Sequence, residues 1–534
     1  MAEPTPAAPP RGVGRRARNT AIFSIATGFS RVAGLVREIV AAAYFGTQGA
    51  ASAFTVAFQV PNLVRALVAD AALSSAFVPV FSELLVEKRR REAIHLASAL
   101  AGLLLVGLSL LTVGFILAAP AIMPLFTGDE FTPALDDLTV GLSQVLFPIV
   151  VLLGLNGLVV GVLNAHEHFA IPAIAPLVWN LVIIAALVGL TPLFEGPDRL
   201  YAYAIGVLAG TAVQLAMCLP PLRRVGMPLR LRLARDARIG QVLKLMLPVS
   251  VGLGLINIDL LLNSAIGSLV SDEAPRAIDA AFRIYMLPQG MFSVAVATVL
   301  FPVLSRLAAR RDVAALRATT GTGMRQIALL LVPSAAATAA LAAPIVRLVY
   351  ERGEFDADST AQVSEALFWF SFSLPFAGLN LLLTRTFFSL QRPWVPTRLA
   401  LVTLTLNAGV SLALYRSMGI GGVVLGTAVA GAAMTLLQGT LLRRELGGLE
   451  VARTLRAAAL MLLAAALLAV LARGVWVALD ELLGRSLPAQ VVAVGAALAA
   501  GTAVYGAAML RSGLPEVAEI RALVAGRLHG RRTG

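Results

Sequence analysis

The chain has 534 residues, 58% of them hydrophobic and only 14% charged, with a mean hydropathy of +0.83. A soluble protein of this length cannot hide so much apolar surface in one or two cores. The net charge of +13 raises nucleic acid as a partner, but no basic stretch is interleaved with aromatics for base stacking.

Residues 1–18, Pro- and Ala-rich and then basic, lack a short apolar core followed by a cleavage site. They are expected to form a disordered cytoplasmic arm, not a signal peptide. Beyond them, apolar runs of roughly 20 residues recur, the length that crosses about 30 Å of hydrocarbon. They do not alternate apolar with polar as barrel strands do. The expected class is an all-α polytopic membrane protein. Fourteen helices are predicted, centred near residues 32, 66, 107, 151, 181, 209, 257, 292, 334, 374, 405, 431, 464 and 499. Helices 1–6 fill an N-lobe over 19–225, and a basic amphipathic cytoplasmic linker spans 226–240. Helices 7–12 fill a C-lobe over 241–446, helices 13 and 14 lie within 447–511, and an Arg-rich cytoplasmic tail covers 512–534.

Charge in the connections tests this division. One alternate set of connections is basic ("EKRRRE", "SRLAARRD"), the other acidic ("GDEFTPALDD", "ERGEFDADS"). Of the 43 Lys and Arg, 31 fall in the first set, six in the second and six inside segments. Positive-inside bias then puts both termini in the cytoplasm.

The first half resembles the second at an offset near 224 residues. "AAPAIMPLFTGDEF" at 118–131 matches "AAPIVRLVYERGEF" at 342–355, "GLN" at 154–156 matches 378–380, and Pro172 matches Pro396. Each repeat holds six helices, an even number, so the two repeats run parallel, the general plan of alternating-access transporters. Helices 13 and 14 lie outside the duplication. At the same offset Arg31 and Arg37 fall on Leu255 and Leu261, so the construction of the fold does not itself demand these arginines.

Five arginines are placed well inside segments: Arg31, Arg37, Arg65, Arg283 and Arg385. Glu38, Asp70 and Asp259 accompany them, and Arg347 is expected to snorkel from a helix end. A central Arg costs roughly 2.5–3.5 kcal/mol on insertion scales, so these side chains must face water or partners. Internal salt bridges, Arg37 with Glu38 or Arg65 with Asp70, are the plain alternative. They leave a surplus of cations, all Arg, whose planar fork suits phosphate oxygens. A cationic cavity in such a transporter points to an anionic substrate, a phosphate or diphosphate best of all.

Weaker motifs receive plainer readings. His166 and His168 in "NAHEHF" lack a third metal ligand, and the single Cys218 supports neither a disulfide framework nor a thiolate cluster. Asn156 and Asn380 are expected to bond across helices. "GIGGVVLG" at 419–426 lacks the Lys-Ser/Thr end of a phosphate loop, and no nucleotide site or Ser-His-Asp set is found. The tail is expected either to lie on the anionic inner leaflet or to be solvated.

"FSRVAGLVREIVAAAYFG", "AFTVAFQVPNLVRALVADAALSSAFVPVFSEL", "YERGEFDADST" and "RTFFSLQRPWVPT" resemble the MurJ (MviN) family of lipid II flippases, within the superfamily that includes the multidrug and toxin exporters. The resemblance covers about residues 19–511. It implies a transporter, not an enzyme, that moves undecaprenyl-diphosphate-linked disaccharide-pentapeptide (lipid II) to the outer leaflet of the bacterial cytoplasmic membrane for peptidoglycan synthesis. By motif, Arg31, Arg37, Arg65 and Arg283 hold the diphosphate, with Glu38 and Asp70 beside them. Helices 13 and 14 offer a groove to the lipid tail, and cell-wall synthesis enzymes are possible partners. No cofactor is implied beyond a driving sodium or proton gradient or the membrane potential; candidates for a sodium site are Asp259, Asn263, Asn407 and Thr427. Ser52 stands where many relatives carry an acid. Two other readings stay open: export of another polyprenyl-linked glycan or of drugs, and an intramembrane enzyme acting on lipid diphosphate. A cation-drug exporter should carry acidic cavity residues, and an enzyme needs a base or nucleophile near the arginines.

Overall fold

The computed structural model describes residues 13–68, 71–227, 234 and 236–518. Asp70, residues 228–233 and 235 of the 226–240 linker, residues 1–12 of the expected arm and most of the tail lie outside them. The described residues form no strand. Sixteen helices follow in order: α1 (Val13–Phe45), α2 (Gly49–Val68), α3 (Ala71–Val86), α4 (Arg90–Ile122), α5 (Pro133–Leu146), α6 (Ile149–Ala165), α7 (Ala170–Leu190), α8 (Arg199–Arg224), α9 (Ala237–Gly267), α10 (Ala274–Ala309), α11 (Val313–Ala340), α12 (Ala342–Tyr350), α13 (Ala357–Ser389), α14 (Trp394–Glu445), α15 (Val451–Leu483) and α16 (Leu487–Arg511). Helices are the expected outcome, because hydrocarbon offers no partner to an unpaired backbone N–H or C=O.

Among the described residues nine helical spans are long and apolar enough to cross a membrane, and α11 with α12, bent by 77°, makes a tenth. The order is consistent with fourteen crossings when α2 with α3 and α5 with α6 are each taken as one. α14 then supplies two: its 52 residues would reach about 78 Å if straight, far beyond the hydrocarbon thickness. Gly419, at φ +55° and ψ −134°, divides it. The two arms then run back along each other, since Ser411 Oγ donates to the Val423 carbonyl at 2.9 Å. A side chain at Gly422 would meet the Leu414 carbonyl oxygen at 2.5 Å. The backbone angle at Gly419 is one that a β-carbon disfavours strongly. Across the bend, Glu365 Oε1 on α13 accepts the N–H of Gly421 at 3.1 Å, one of the donors a helix start leaves orphaned.

The chain forms two compact units. The first comprises Met1–Phe45, Ala53–Thr127 and Thr132–Leu261, the second Gly46–Ser52, Gly128–Phe131 and Leu262–Gly534. The division falls within α9. The duplicated "GLN" carries the same packing job in each unit. A β-carbon at Gly154 would come within 2.4 Å of Leu108 on α4, and one at Gly378 within 2.3 Å of Leu331 on α11. Each glycine lets a neighbouring helix close onto bare backbone, and α4 and α11 hold corresponding places in the two repeats. Asn380 donates to the Gly431 carbonyl at 3.0 Å and accepts from Thr435 at 2.8 Å, a cross-helix bond of the kind expected. Asn156 differs, its Oδ1 being buried with no hydrogen-bond partner among the described residues.

Helices α15 and α16 pack on α11 in the second unit. Ala328, Leu329 and Val332 meet Met461, Ala464, Leu468, Tyr505 and Met509 in one buried cluster. Beneath the cluster lies a charged clamp. Arg325 on α11, 1% exposed in its side chain, reaches Glu450 at 2.8 Å and Glu516 at 2.5 Å. Glu450 precedes α15 and Glu516 follows α16, so one guanidinium ties both ends of the added pair to α11. Arg325 lies in a stretch read from the sequence as a basic connection; α11 begins earlier and buries it.

Candidate substrate-binding site

In the first unit, α1 runs unbroken through both arginines of interest. Six residues of helix turn Arg37 by roughly 120° from Arg31, and the two environments diverge accordingly. Arg31 is exposed and makes no hydrogen bond or ion pair among the described residues. Arg37 is 8% exposed and Glu38 3%. Its Nη2 lies 2.5 Å from Glu38 Oε1, and its guanidinium sits 4.8 Å from the centroid of the Trp179 ring on α7. Tyr203 on α8 donates to the same Glu38 oxygen at 3.5 Å, while Trp179 is pinned by an Nε1–H bond to Thr211 at 3.1 Å. Arg37 Nε is buried with no hydrogen-bond partner among the described residues. The Arg37–Glu38 salt bridge is therefore real, but it leaves one guanidinium donor unused.

Also in this unit, Arg65 Nε donates to Asn62 Oδ1 at 2.9 Å, and Asn62 Nδ2 donates to Asn257 Oδ1 at 3.1 Å. The expected Arg65–Asp70 pair involves a residue outside the described set. Asn180 on α7 donates to the Pro176 carbonyl at 2.9 Å and lies 3.8 Å from where a Gly34 side chain would begin. That is an ordinary contact distance, so α7 packs on α1 here without requiring the glycine.

In the second unit, Arg283 on α10 has a partner that the sequence reading assigned to an acidic connection. Asp279 Oδ2 accepts from Arg283 Nε at 2.9 Å and from Arg276 Nη1 at 3.1 Å. The helix starts at Ala274, so "RAIDAAFR" puts the three charges at i, i+3 and i+7 on one face. That spacing was visible in the sequence; the acidic composition around it drew attention away. Ser52 Oγ accepts the N–H of Arg276 at 3.1 Å, so here the residue that replaces an acid serves as a cap for α10. Arg385 is half-buried. It lies one turn before the end of α13, over the Phe301 ring at 5.2 Å.

The residues proposed for sodium are brought together in part. Asn263 donates to Thr427 at 3.1 Å, Asn407 donates to Asn263 Oδ1 at 3.1 Å, and Ser411 donates to Asn407 Oδ1 at 3.2 Å. Asp259, four residues before Asn263, falls in the portion of α9 that belongs to the first unit. The buried amides and hydroxyls of these residues hydrogen-bond to one another. A hard cation wants several oxygens of its own, and Asn263, Asn407, Ser411 and Thr427 offer amide and hydroxyl oxygens.

Two units of helices long and apolar enough to cross a membrane, each carrying arginines beside a carboxylate, define a polytopic helical membrane protein. Solved structures agree on the fold. The chain is similar to the lipid II flippase MurJ in an inward closed conformation, with TM-score 0.72, 22% identity, and coverage of 92% of this chain and 100% of that one. It is also similar to an inward-facing multidrug resistance MATE family transporter, with TM-score 0.68, 15% identity, and coverage of 80% and 94%. The family model described as "Lipid II flippase MurJ" matches residues 41–493. The probable lipid II flippase MurJ of Rhizobium meliloti (strain 1021) is 32% identical over 505 residues, 93% of this chain and 94% of the relative. The chain belongs to the MurJ family. Its relatives are named as flippases, which are transporters and not enzymes.

Proposed function

We propose that this protein flips lipid II from the inner to the outer leaflet of the bacterial cytoplasmic membrane by alternating access, with both termini in the cytoplasm. The headgroup diphosphate is held by Arg31, Arg37, Arg65 and Arg283. Glu38 and Asp70 tune those cations, and α15 with α16 guides the lipid tail. Cell-wall synthesis enzymes then consume the exported precursor.

The observation that carries this reading is Arg31. A guanidinium about 27 Å along α1 from Val13, exposed and without an ion pair among the described residues, is a costly feature to keep in an apolar helix. It suits a diphosphate, to which Arg binds through two parallel N–H donors. The driving force fits the membrane potential. An anion leaving a negative interior gains about 2.3 kcal/mol per charge per 100 mV, and no bound cation is needed.

The test is delivery of lipid II to the outer face of vesicles holding the purified protein. Arg31→Ala and Arg283→Ala proteins that insert normally should lose most of this delivery. Full delivery by both would refute the proposal. Release of phosphate from undecaprenyl diphosphate by the wild-type protein would instead favour an intramembrane enzyme.

A further inference from the structure

Arg283 does not stand alone on α10. Asp279 Oδ2 is shared by two guanidinium groups, Nη1 of Arg276 at 3.1 Å and Nε of Arg283 at 2.9 Å. The two cations are unequal. The Arg276 side chain is 7% exposed and Arg283 32%, with Asp279 between them at 18%. Arg276 is further fixed through its backbone N–H to Ser52. One arginine is therefore built into the helix start, and the other is accessible. Two guanidinium groups thus share one carboxylate, and the accessible one has that carboxylate one helical turn away.

A carrier faces two opposed demands. Its site must attract the headgroup, yet hold it weakly enough for the headgroup to leave. Paired Arg–diphosphate hydrogen bonds are among the stronger contacts a protein makes, and an empty site must not strand a half-buried cation. We propose that Asp279 is the release residue of the transporter. It is an internal carboxylate that pairs with Arg283 in the empty state, repels the bound diphosphate and reclaims the guanidinium as the headgroup departs. Glu38 beside Arg37 gives the first unit an arrangement of the same kind. The inference rests on the proposed role of Arg283 in holding the substrate.

Neutralising the carboxylate should have a sign opposite to that of ordinary damage. Asp279→Asn should bind purified lipid II in detergent about tenfold more tightly, about 1.4 kcal/mol. In vesicles its maximal flipping rate should fall while half-saturation shifts to lower lipid II. Asp279→Ser serves as a second variant, and size-exclusion and thermal unfolding confirm that each protein is folded. In an Arg283→Gln background, Asp279→Asn should no longer tighten binding. Weaker or unchanged binding by both folded Asp279 variants overturns the inference, as does tightening that persists without Arg283. If Arg283→Gln alone binds lipid II as well as the wild type, the substrate-site reading itself fails. If Arg283→Gln weakens binding but the Asp279 variants do not tighten it, that reading stands and only the release role is lost.

Discussion

Replacing Arg325 with Met keeps the length and apolar stem of the side chain and deletes the charge. The mutation leaves Glu516, 1% exposed in its side chain, as a carboxylate with no cation beside it, and it leaves Glu450, 31% exposed, able to turn to water. Breaking a buried pair by removing one partner typically costs about 3–5 kcal/mol, while a partly exposed partner is worth about 1 kcal/mol or less. The Glu516 contact should therefore dominate, with a total loss of about 3–4 kcal/mol. Thermal unfolding of the purified protein in detergent measures this, and limited proteolysis after Arg511 reports whether the segment beyond α16 has come loose. Arg325→Met with Glu516→Gln should regain most of the loss, because a neutral amide carries no stranded charge. A single mutant that melts with the wild type would refute the reasoning, and so would a double mutant no better than the single.

Three further outcomes are expected. Arg37→Ala should lower stability by about 3 kcal/mol, since it removes the cation beside the buried Glu38, whereas Arg31→Ala should leave unfolding unchanged and abolish lipid II delivery; unfolding and vesicle assays separate the two. Gly378→Leu should destabilise by about 1–3 kcal/mol or more through overpacking against Leu331 and Ile327, read as a lower midpoint and poor yield, while a similar change at Gly409, which has open space around it, should be tolerated. Asp356 caps α13 by accepting the N–H of Ser359 at 2.8 Å, and this bond, with the Ser359 hydroxyl, holds its carboxyl below the ordinary aspartate range. A lowered folded pKa means the stabilisation is present in full above the unfolded value and disappears as pH falls through the folded one. Asp356→Ala should thus cost about 1 kcal/mol near neutrality, and the gap to the wild type should close below about pH 4.

Much of the architecture could be read from hydropathy, because a span must be long and apolar whatever it packs against. The offset near 224 also paired Gly154 with Gly378, though their shared packing role is seen only in the structure. What escaped were interactions made by charges that composition alone assigns to loops. Arg325 and Asp279 look like members of basic and acidic connections, yet helices begin several residues before each and draw them inward. Trp179 and Tyr203, which clasp Arg37 and Glu38, carry no charge and are spaced far from α1 in sequence, so no local pattern marks them. Asn263, Asn407 and Thr427 were gathered correctly by resemblance to the family. Their mutual hydrogen bonds depend on side-chain directions that spacing does not fix.

The bend at Gly419 has a bearing on everything after it. A chain threaded through a bilayer alternates faces, so parity is conserved downstream of every reversal. Were a β-carbon to straighten that one residue, two passes would merge into a single rod, and each later connection would exchange compartments with its neighbour. The arginines after residue 440 would then be asked to emerge on the opposite face, and the Arg325 clamp would find Glu450 and Glu516 on the wrong side to grip. The bend at one glycine is thus what lets α14 be taken as two passes.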